Sequence, residues 1–258
     1  MKRVLTALLL IPLIGGINFF APAPIFSATL MLVALLCLRE FFDISDRLDL
    51  RPFRLPGYGA GALLVVAPKL PQPGFLVGFC LLLFIVALQP PRPLSASLGS
   101  TASTLLGLVY VCGPFALARE IHGFSPHWLF FVLLLSWVGD SAAFYVGRGV
   151  GRRPLSPRIS PQKTWEGALG SILFSVPVGA AYLLYFQPPA VSLLSAVLIS
   201  LATNVTGQFG DLAESALKRA ARVKDSGTLL PGHGGMLDRL DSFLFAAPAT
   251  YFCLLGLR

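Results

Sequence analysis

Long apolar segments alternate with short polar ones along most of the chain. Nine such segments lie at residues 4–20, 22–38, 58–70, 74–88, 98–118, 127–147, 166–186, 190–210 and 243–257. Several are shorter than the ~20 residues that an upright transmembrane helix needs, so their ends are placed approximately. The pattern predicts an all-α, polytopic integral membrane protein with about nine transmembrane helices, built as a single membrane domain over residues 1–258.

Two of the shorter segments, 58–70 and 74–88, are joined by a stretch that contains Pro68, Pro71 and Pro73. Proline removes a helical hydrogen bond and clashes with the preceding turn, so this stretch is predicted to be a hairpin. Both ends of the pair return to the same side of the membrane, whether it crosses fully or re-enters.

The positive charges favour one orientation. With a cytoplasmic N-terminus, 17 of the 20 Lys and Arg residues fall on the cytoplasmic side, as the positive-inside rule requires. The prediction is therefore nine crossings with the N-terminus inside. A cleaved signal peptide is the alternative for the first segment, because Met1-Lys2-Arg3 precedes an apolar run that ends near Ala21. A retained first span is favoured, since a second apolar run follows at once.

Composition agrees with a membrane protein. Apolar residues make up 55% of the chain and charged residues 12%, about half of the ~25% usual in soluble domains. The net charge of +8 would suggest a nucleic-acid partner for a soluble protein. Here it is attributed to cytoplasmic loops and anionic lipid, and no nucleic acid is expected. The four cysteines are far apart in apolar runs, which argues against disulfide or zinc roles.

The polar stretch 208–242 concentrates acids beside bases. It holds five of the twelve acidic residues, Asp211, Glu214, Asp225, Asp238 and Asp241. Magnesium takes carboxylate oxygens and phosphate takes cations, so the mixture indicates a site for a metal and a polyphosphate. Any one of these residues could belong to a solvated surface. The whole set at a membrane boundary is costly unless it is paired or metal-bound.

Helical spacing brings some of these residues together. A helix over 209–222 would carry Asp211, Ser215, Lys218 and Arg222 on one face. A glycine-rich loop at 231–235 would let backbone approach a ligand closely. We expect Asp211, Asp238 and Asp241 to converge on one cation from two helix ends.

A second polar stretch, 139–167, begins with Asp140 near the end of a predicted span, which marks a functional candidate. Its glycines do not form GxGxxG, and no P-loop motif occurs in the chain. Arg148, Arg152 and Arg153 would either hold a phosphate head group or only reflect the excess of Lys and Arg in cytoplasmic loops. Ser160-Pro161 is predicted to start a helix as N-cap and first helical residue.

The residue pattern from Ser215 to Asp241 resembles the signature of phosphatidate cytidylyltransferases, also called CDP-diglyceride synthetases. The matching positions are Ser215, Lys218-Arg219, Lys224-Asp225-Ser226-Gly227, Pro231-Gly232-His233-Gly234-Gly235, Asp238-Arg239 and Asp241. A further block over 139–167 is similar to the family's other recurring motif. Residues 98–258 would then hold the catalytic spans and motif loops, whereas residues 1–97 match only as membrane spans.

The resemblance implies a magnesium-dependent reaction in which CTP and phosphatidate give CDP-diacylglycerol and pyrophosphate. A monovalent cation such as K⁺ accompanies the magnesium in this family. The implied catalytic residues are Asp211, Lys218, Asp238 and Asp241, with Asp211, Asp238 and Asp241 as metal ligands. The implied substrate-binding residues are Arg148, Lys163, Ser215, Arg219, Lys224, Asp225, His233, Gly234 and Arg239. His233 is expected to position a substrate and not to abstract a proton, because the attacking phosphate is already anionic at neutral pH.

The implied location is the cell membrane, with the active site facing the cytoplasm. A homodimer is left open, since Gly74 and Gly78 make only one match to a helix-packing motif. The alternatives are a membrane lipid kinase, a related CTP-dependent transferase acting on another lipid phosphate, a transporter and a lipid-binding scaffold.

Overall fold

The structure is a computed structural model that describes residues 12–67, 73–88, 94–187, 191–229 and 234–257. The described chain is mainly helical and divides into two compact units. The first unit contains residues 21–119 and 217–239. The second contains residues 12–20, 120–216 and 240–257.

The first unit is built from helices α2 to α5 and from α6 up to Arg119. These are α2 (Ala23–Arg47), α3 (Arg54–Val66), α4 (Pro73–Ala87), α5 (Ser97–Gly107) and α6 (Gly113–Phe124). A π-turn at Leu108–Cys112 joins α5 to α6 in one continuous helical stretch. A 3₁₀ turn at Leu237–Arg239 also belongs to this unit.

The second unit begins with a helix α1 over residues 12–20. It continues with α7 (Pro126–Val150), α8 (Trp165–Phe186), α9 (Leu193–Ala220) and α10 (Phe243–Gly256), except that the last four residues of α9 belong to the first unit. A two-stranded antiparallel hairpin, β1 (Pro154–Ser156) and β2 (Ser160–Thr164), connects α7 to α8.

Five helical stretches in the described residues are long and apolar enough to cross a membrane. They are Ala23–Arg47, Ser97–Phe124, Pro126–Val150, Trp165–Phe186 and Leu193–Ala220. Two shorter apolar helices occur at Val77–Ala87 and Phe243–Gly256. These helices coincide with predicted segments, so a mainly helical chain with several candidate membrane spans is confirmed. The count of nine and the inward N-terminus stay predictions, and part of the first segment and of the Pro68–Gly74 hairpin lies outside the described residues.

The connection between α7 and α8 differs from the prediction. Ser160 does not cap a helix, because Ser160–Thr164 forms β2 and α8 starts at Trp165. The cap is Thr164, whose hydroxyl accepts a hydrogen bond from the Gly167 N–H at 3.1 Å. The Ser-Pro pair suits a helix start by local preference, but Pro154 and Ser156 pair with this segment and keep it extended.

Helices α7 and α8 pack closely through small residues. A Cβ added to Gly170 would lie 2.7 Å from Val146, and one added to Gly139 would lie 2.9 Å from the Ser171 hydroxyl. Such contacts bring two helix backbones together, as is common between membrane helices. The pair supports the hairpin and the end of α7, where the upstream motif lies.

Helix α2 is the centre of the first unit. Leu38, Phe41 and Phe42 on α2 are buried, and Gly57 on α3 and Gly107 on α5 lie directly against them. The helix extends past the predicted end at residue 38 and continues to Arg47. Its polar C-terminal half is therefore helical and buried enough to contribute to a site.

Candidate active site

The signature loop (residues 222–239) begins where α9 ends. Arg222 adopts a left-handed conformation with φ 57°. The Val223 N–H donates to the Lys218 carbonyl at 2.9 Å, and the Arg222 N–H donates to the Arg219 carbonyl at 3.1 Å. This pair of bonds is a Schellman motif, which closes a helix and turns the chain away from its axis. The predicted helix end at Arg222 is thus close to the observed end at Ala220.

Asp238 is the best-connected residue of the signature loop. The Lys218 ammonium donates to its Oδ1 at 2.6 Å, with side-chain exposures of 12% for Lys218 and 6% for Asp238. Its Oδ2 accepts the backbone N–H groups of Ser226 at 2.9 Å and Gly235 at 2.8 Å. Burial opposes the charged form, but these donors outweigh it and hold the pKa of Asp238 below its usual value. The residue is therefore a carboxylate at neutral pH, and it ties both ends of the loop together.

A second carboxylate, Glu40 on α2, contacts the same loop. It is 5% exposed and accepts hydrogen bonds from the Ser226 hydroxyl at 2.8 Å, the Met236 N–H at 2.9 Å and the Leu237 N–H at 2.8 Å. Glu40 was not predicted as a site residue, because it lies outside both motif regions of the sequence. An acid surrounded by Leu38, Phe41 and Phe42 was the available signal, since acids within apolar helices are costly and mark functional positions.

A cavity of about 760 Å³ opens between the C-terminal half of α2 and the signature loop. Its cationic side chains are Arg39, Arg47, Arg54 and Lys224. Arg54 is paired with Asp43 at 2.6 Å and with Asp46 at 2.7 Å. Arg39, Arg47 and Lys224 are exposed. The volume lies within the range of small-molecule sites, about 300–1,000 Å³.

The second unit gathers a different set of acids. Asp241 is flanked by Asp211, Glu214 and Asp140, and Glu214 is fully buried. Burial, followed by repulsion from these three carboxylates, raises the pKa of Asp241 well above its usual value. The backbone permits this proximity because Gly210 on α9 lies directly against the Asp241 carbonyl. Asp211 and Asp241 thus lie in one group of interacting carboxylates together with Asp140 and Glu214.

Lys163 at the end of the hairpin joins this cluster. Its ammonium lies 2.5 Å from Asp211 Oδ2, and both side chains are about three-tenths exposed. The hairpin itself is anchored by Glu166, which accepts the backbone N–H groups of Arg152 at 3.0 Å and Arg153 at 3.2 Å. Their guanidinium groups are left at the surface, and Arg148 is exposed as well.

The remaining predicted residues take varied positions. Ser215 is half-buried on α9, whereas Arg219, Lys224, Asp225 and Arg239 are exposed. Arg219 donates to the Val223 carbonyl at 3.2 Å. Gly234 has a φ of 80°, a left-handed conformation that favours glycine. His233, with Pro231 and Gly232, lies outside the described residues.

The donor chemistry of these clusters suits magnesium, which binds carboxylate oxygens. A divalent cation would also relieve the repulsion among Asp241, Asp211, Glu214 and Asp140. Within the described residues, no three His, Cys, Asp or Glu side chains are arranged closely enough to hold a metal ion. Asp238 already accepts four hydrogen bonds. It is described with the first unit, whereas Asp211 and Asp241 are described with the second. The three-ligand hypothesis therefore stays a prediction.

Comparison with known proteins identifies the family. The sequence model described as "Cytidylyltransferase family" matches residues 1–256. The chain belongs to the cytidylyltransferase family. A cytidylyltransferase from Synechocystis sp., named phosphatidate cytidylyltransferase, is 34% identical over 88% of this chain and 87% of its own length.

Further cytidylyltransferases match over shorter regions. The Bacillus subtilis phosphatidate cytidylyltransferase is 46% identical over 53% of this chain, and the match spans half of that protein. The Staphylococcus saprophyticus phosphatidate cytidylyltransferase is 38% identical over 60% of this chain and 59% of its own length. The resemblance found in the motifs is confirmed by these matches.

Proposed function

We propose that this protein is a phosphatidate cytidylyltransferase that converts CTP and phosphatidate into CDP-diacylglycerol and pyrophosphate. The observation that carries the proposal is the family match over residues 1–256, together with the Synechocystis relative that is similar over most of both chains. Two features of the described structure support it: Lys224 of the signature lines a cavity in the first unit, and motif carboxylates lie near one another in the second unit.

The reaction requires two anions to meet. A phosphatidate oxygen attacks the α-phosphorus of CTP, and the bond from that phosphorus to the bridging oxygen of the β-phosphate breaks. The electron pair leaves with pyrophosphate. A phosphate monoester has its second pKa near ~6, so the nucleophile is already anionic and needs no strong general base. Catalysis then depends on lowering the repulsion between the substrates and stabilising the leaving pyrophosphate.

The cavity between α2 and the signature loop is proposed as the nucleotide subsite. Lys224, Arg39 and Arg47 would contact phosphate oxygens, because all three are exposed cations on its wall. Arg219 and Arg239 are also exposed and belong to the signature. They are proposed to bind phosphate as well. Lys218 is proposed to act mainly through Asp238, since its ammonium is 2.6 Å from that carboxylate.

Magnesium is proposed as the cofactor, with Asp211, Asp238 and Asp241 as the candidate ligands and a monovalent cation such as K⁺ as a companion. A bound divalent ion would neutralise phosphate charge and stabilise the departing pyrophosphate. The protein's own contribution is to keep Asp238 ionised through Lys218 and the loop amides, and to hold Asp211 beside Lys163.

The lipid is proposed to enter from the membrane near Arg148, Arg152 and Arg153. These exposed guanidinium groups lie at the end of α7 and on the hairpin, where they would contact a phosphate head group. We further propose nine spans with a cytoplasmic N-terminus and active site in the cell membrane.

The deciding experiment uses purified protein, phosphatidate vesicles, magnesium and CTP labelled either in the cytidine or in the γ-phosphate. The expected result is cytidine label in the lipid and γ-label in pyrophosphate. Heat-inactivated protein is the control. Release of CDP with γ-label in the lipid would contradict the proposal and indicate a lipid kinase.

A further inference from the structure

We propose that Glu40, which lies outside the signature, is a positioning residue that holds the signature loop in its active conformation. This inference rests on the proposed function, since the loop is taken to be part of a cytidylyltransferase site. Its basis is the set of contacts that join α2 to residues 226, 236 and 237, which are about 190 positions away in sequence.

Both oxygens of the Glu40 carboxylate accept hydrogen bonds from the signature loop. Oε1 accepts the Met236 N–H at 2.9 Å, and Oε2 accepts the Leu237 N–H at 2.8 Å and the Ser226 hydroxyl at 2.8 Å. All three donors precede Asp238 in the chain, and two of them are backbone amides. A buried carboxylate with several amide donors orients a backbone segment more strictly than an apolar contact, because hydrogen bonds to a charged group are directional and strong.

Two glycines of the signature lie against this carboxylate. A Cβ added to Gly227 would be 2.6 Å from Glu40 Oε1. A Cβ added to Gly235 would collide with both Glu40 Oε2 and the Ser226 hydroxyl. The absence of a side chain at both positions therefore lets the loop backbone approach Glu40. This provides a physical reason for glycine at residues 227 and 235 that is separate from any contact with a ligand.

Ser226 connects Glu40 to Asp238. Its hydroxyl lies 2.8 Å from Glu40 Oε2 and 3.0 Å from Asp238 Oδ2, while its backbone N–H donates to Asp238 at 2.9 Å. A hydroxyl has one proton, so it can donate fully to only one of the two carboxylates at a time. Displacing Ser226 would thus disturb both carboxylates, and through Asp238 it would disturb Lys218.

The test compares E40Q and E40D with the wild type and with D49N as the matched control. Gln keeps the size of Glu but replaces one acceptor oxygen by a donor NH₂, which faces donors of the loop. Asp keeps the charge but is one methylene shorter, so its oxygens no longer meet the amides at hydrogen-bonding distance. Asp49 is an exposed acid in the same unit and does not line the cavity.

The first measurement is hydrogen–deuterium exchange, without substrate, at the amides of residues 236–237, which donate to Glu40. Losing a hydrogen bond to a charged group should raise exchange there by about 10- to 100-fold in E40Q and E40D, with D49N unchanged. This measurement does not depend on the enzymatic activity, so it separates a failure of this inference from a failure of the proposed function. Unchanged exchange in both variants would overturn the inference.

The second measurement separates kcat from KM. E40Q and E40D should both lower kcat by about 10- to 100-fold while the KM for phosphatidate changes by less than about threefold. Full activity in E40D would show that only the charge matters, and it would contradict a positioning role. If the Glu40 variants do not fold, S226A removes one of the three donors to Glu40, together with the contact of the same hydroxyl with Asp238. Faster exchange at 236–237, whose amides donate to Glu40, would then support the inference, and wild-type exchange would refute it.

Discussion

At the residue scale, Lys218 and Asp238 form the pair on which the signature loop depends. Both side chains are largely buried, and their charged atoms are 2.6 Å apart. Removing one partner of such a pair leaves the other charge buried without compensation, which is more harmful than losing the pair's net attraction. Asp238 would keep two backbone donors, so part of its stabilisation would survive.

We therefore predict that K218M lowers the free energy of unfolding by about 1–3 kcal/mol, because Asp238 loses its ammonium partner but retains the Ser226 and Gly235 amides. The kcat should fall by at least about 100-fold. Thermal unfolding in detergent and steady-state kinetics measure the two effects. A variant with normal activity would contradict the proposed role of the pair.

Lys224 offers a matched comparison, because it is exposed and lines the cavity. K224M should leave the unfolding temperature within about 2 °C of wild type, since exposed charges contribute little to stability. The KM for CTP should rise by about 10-fold or more, because one phosphate contact is lost. An increase confined to the KM for phosphatidate would exclude this cavity as the nucleotide subsite.

At the element scale, the close packing of α7 and α8 supports the upstream motif. G170A would place a methyl group 2.7 Å from Val146, and overpacking of this kind costs about 1–3 kcal/mol. Gly149, also on α7, has no neighbour within 4 Å of an added Cβ. G149A should be neutral or stabilising by up to about 1 kcal/mol. Unfolding curves of the two variants test this contrast, and equal stability would contradict it.

The predicted bounds of a helix were accurate where the apolar segment was long. The predicted segment 166–186 corresponds to α8 at Trp165–Phe186, since a long apolar run in a membrane can only satisfy its backbone as a helix. The Ser160 prediction was wrong because strand pairing with Pro154 and Ser156 overrides a local capping preference. Pairing between two segments depends on the tertiary structure, so the Ser160-Pro161 pair alone could not reveal it.

Only part of the candidate site could be predicted from the sequence. The charges of Asp211 and Asp241 interact, because helix α9 and the turn before α10 bring the two carboxylates near each other, and their binding of one cation stays a prediction. Glu40 was missed because its contacts are with residues more than 180 positions away, which no local pattern encodes. Asp238 was expected to bind a metal, yet its oxygens also organise the loop through Lys218, Ser226 and Gly235.

At the scale of the whole molecule, the orientation in the membrane can be tested across α7. Gly123 and Arg153 are exposed and lie beyond opposite ends of this 25-residue helix. In a variant whose four cysteines are replaced, R153C should react with a membrane-impermeant maleimide only in inside-out vesicles. G123C should react only in right-side-out vesicles. Labelling of both from one side would contradict the predicted topology.

The π-turn at Leu108–Cys112 affects how this chain can be compared with others. It adds one residue to a helical turn, which rotates everything after it by about 100° relative to an uninterrupted α-helix. A relative without the turn would be one residue shorter at this point. An alignment that omits that gap would match each later residue of the helix with a neighbour on the wrong side, so lipid-facing and core positions would be confused.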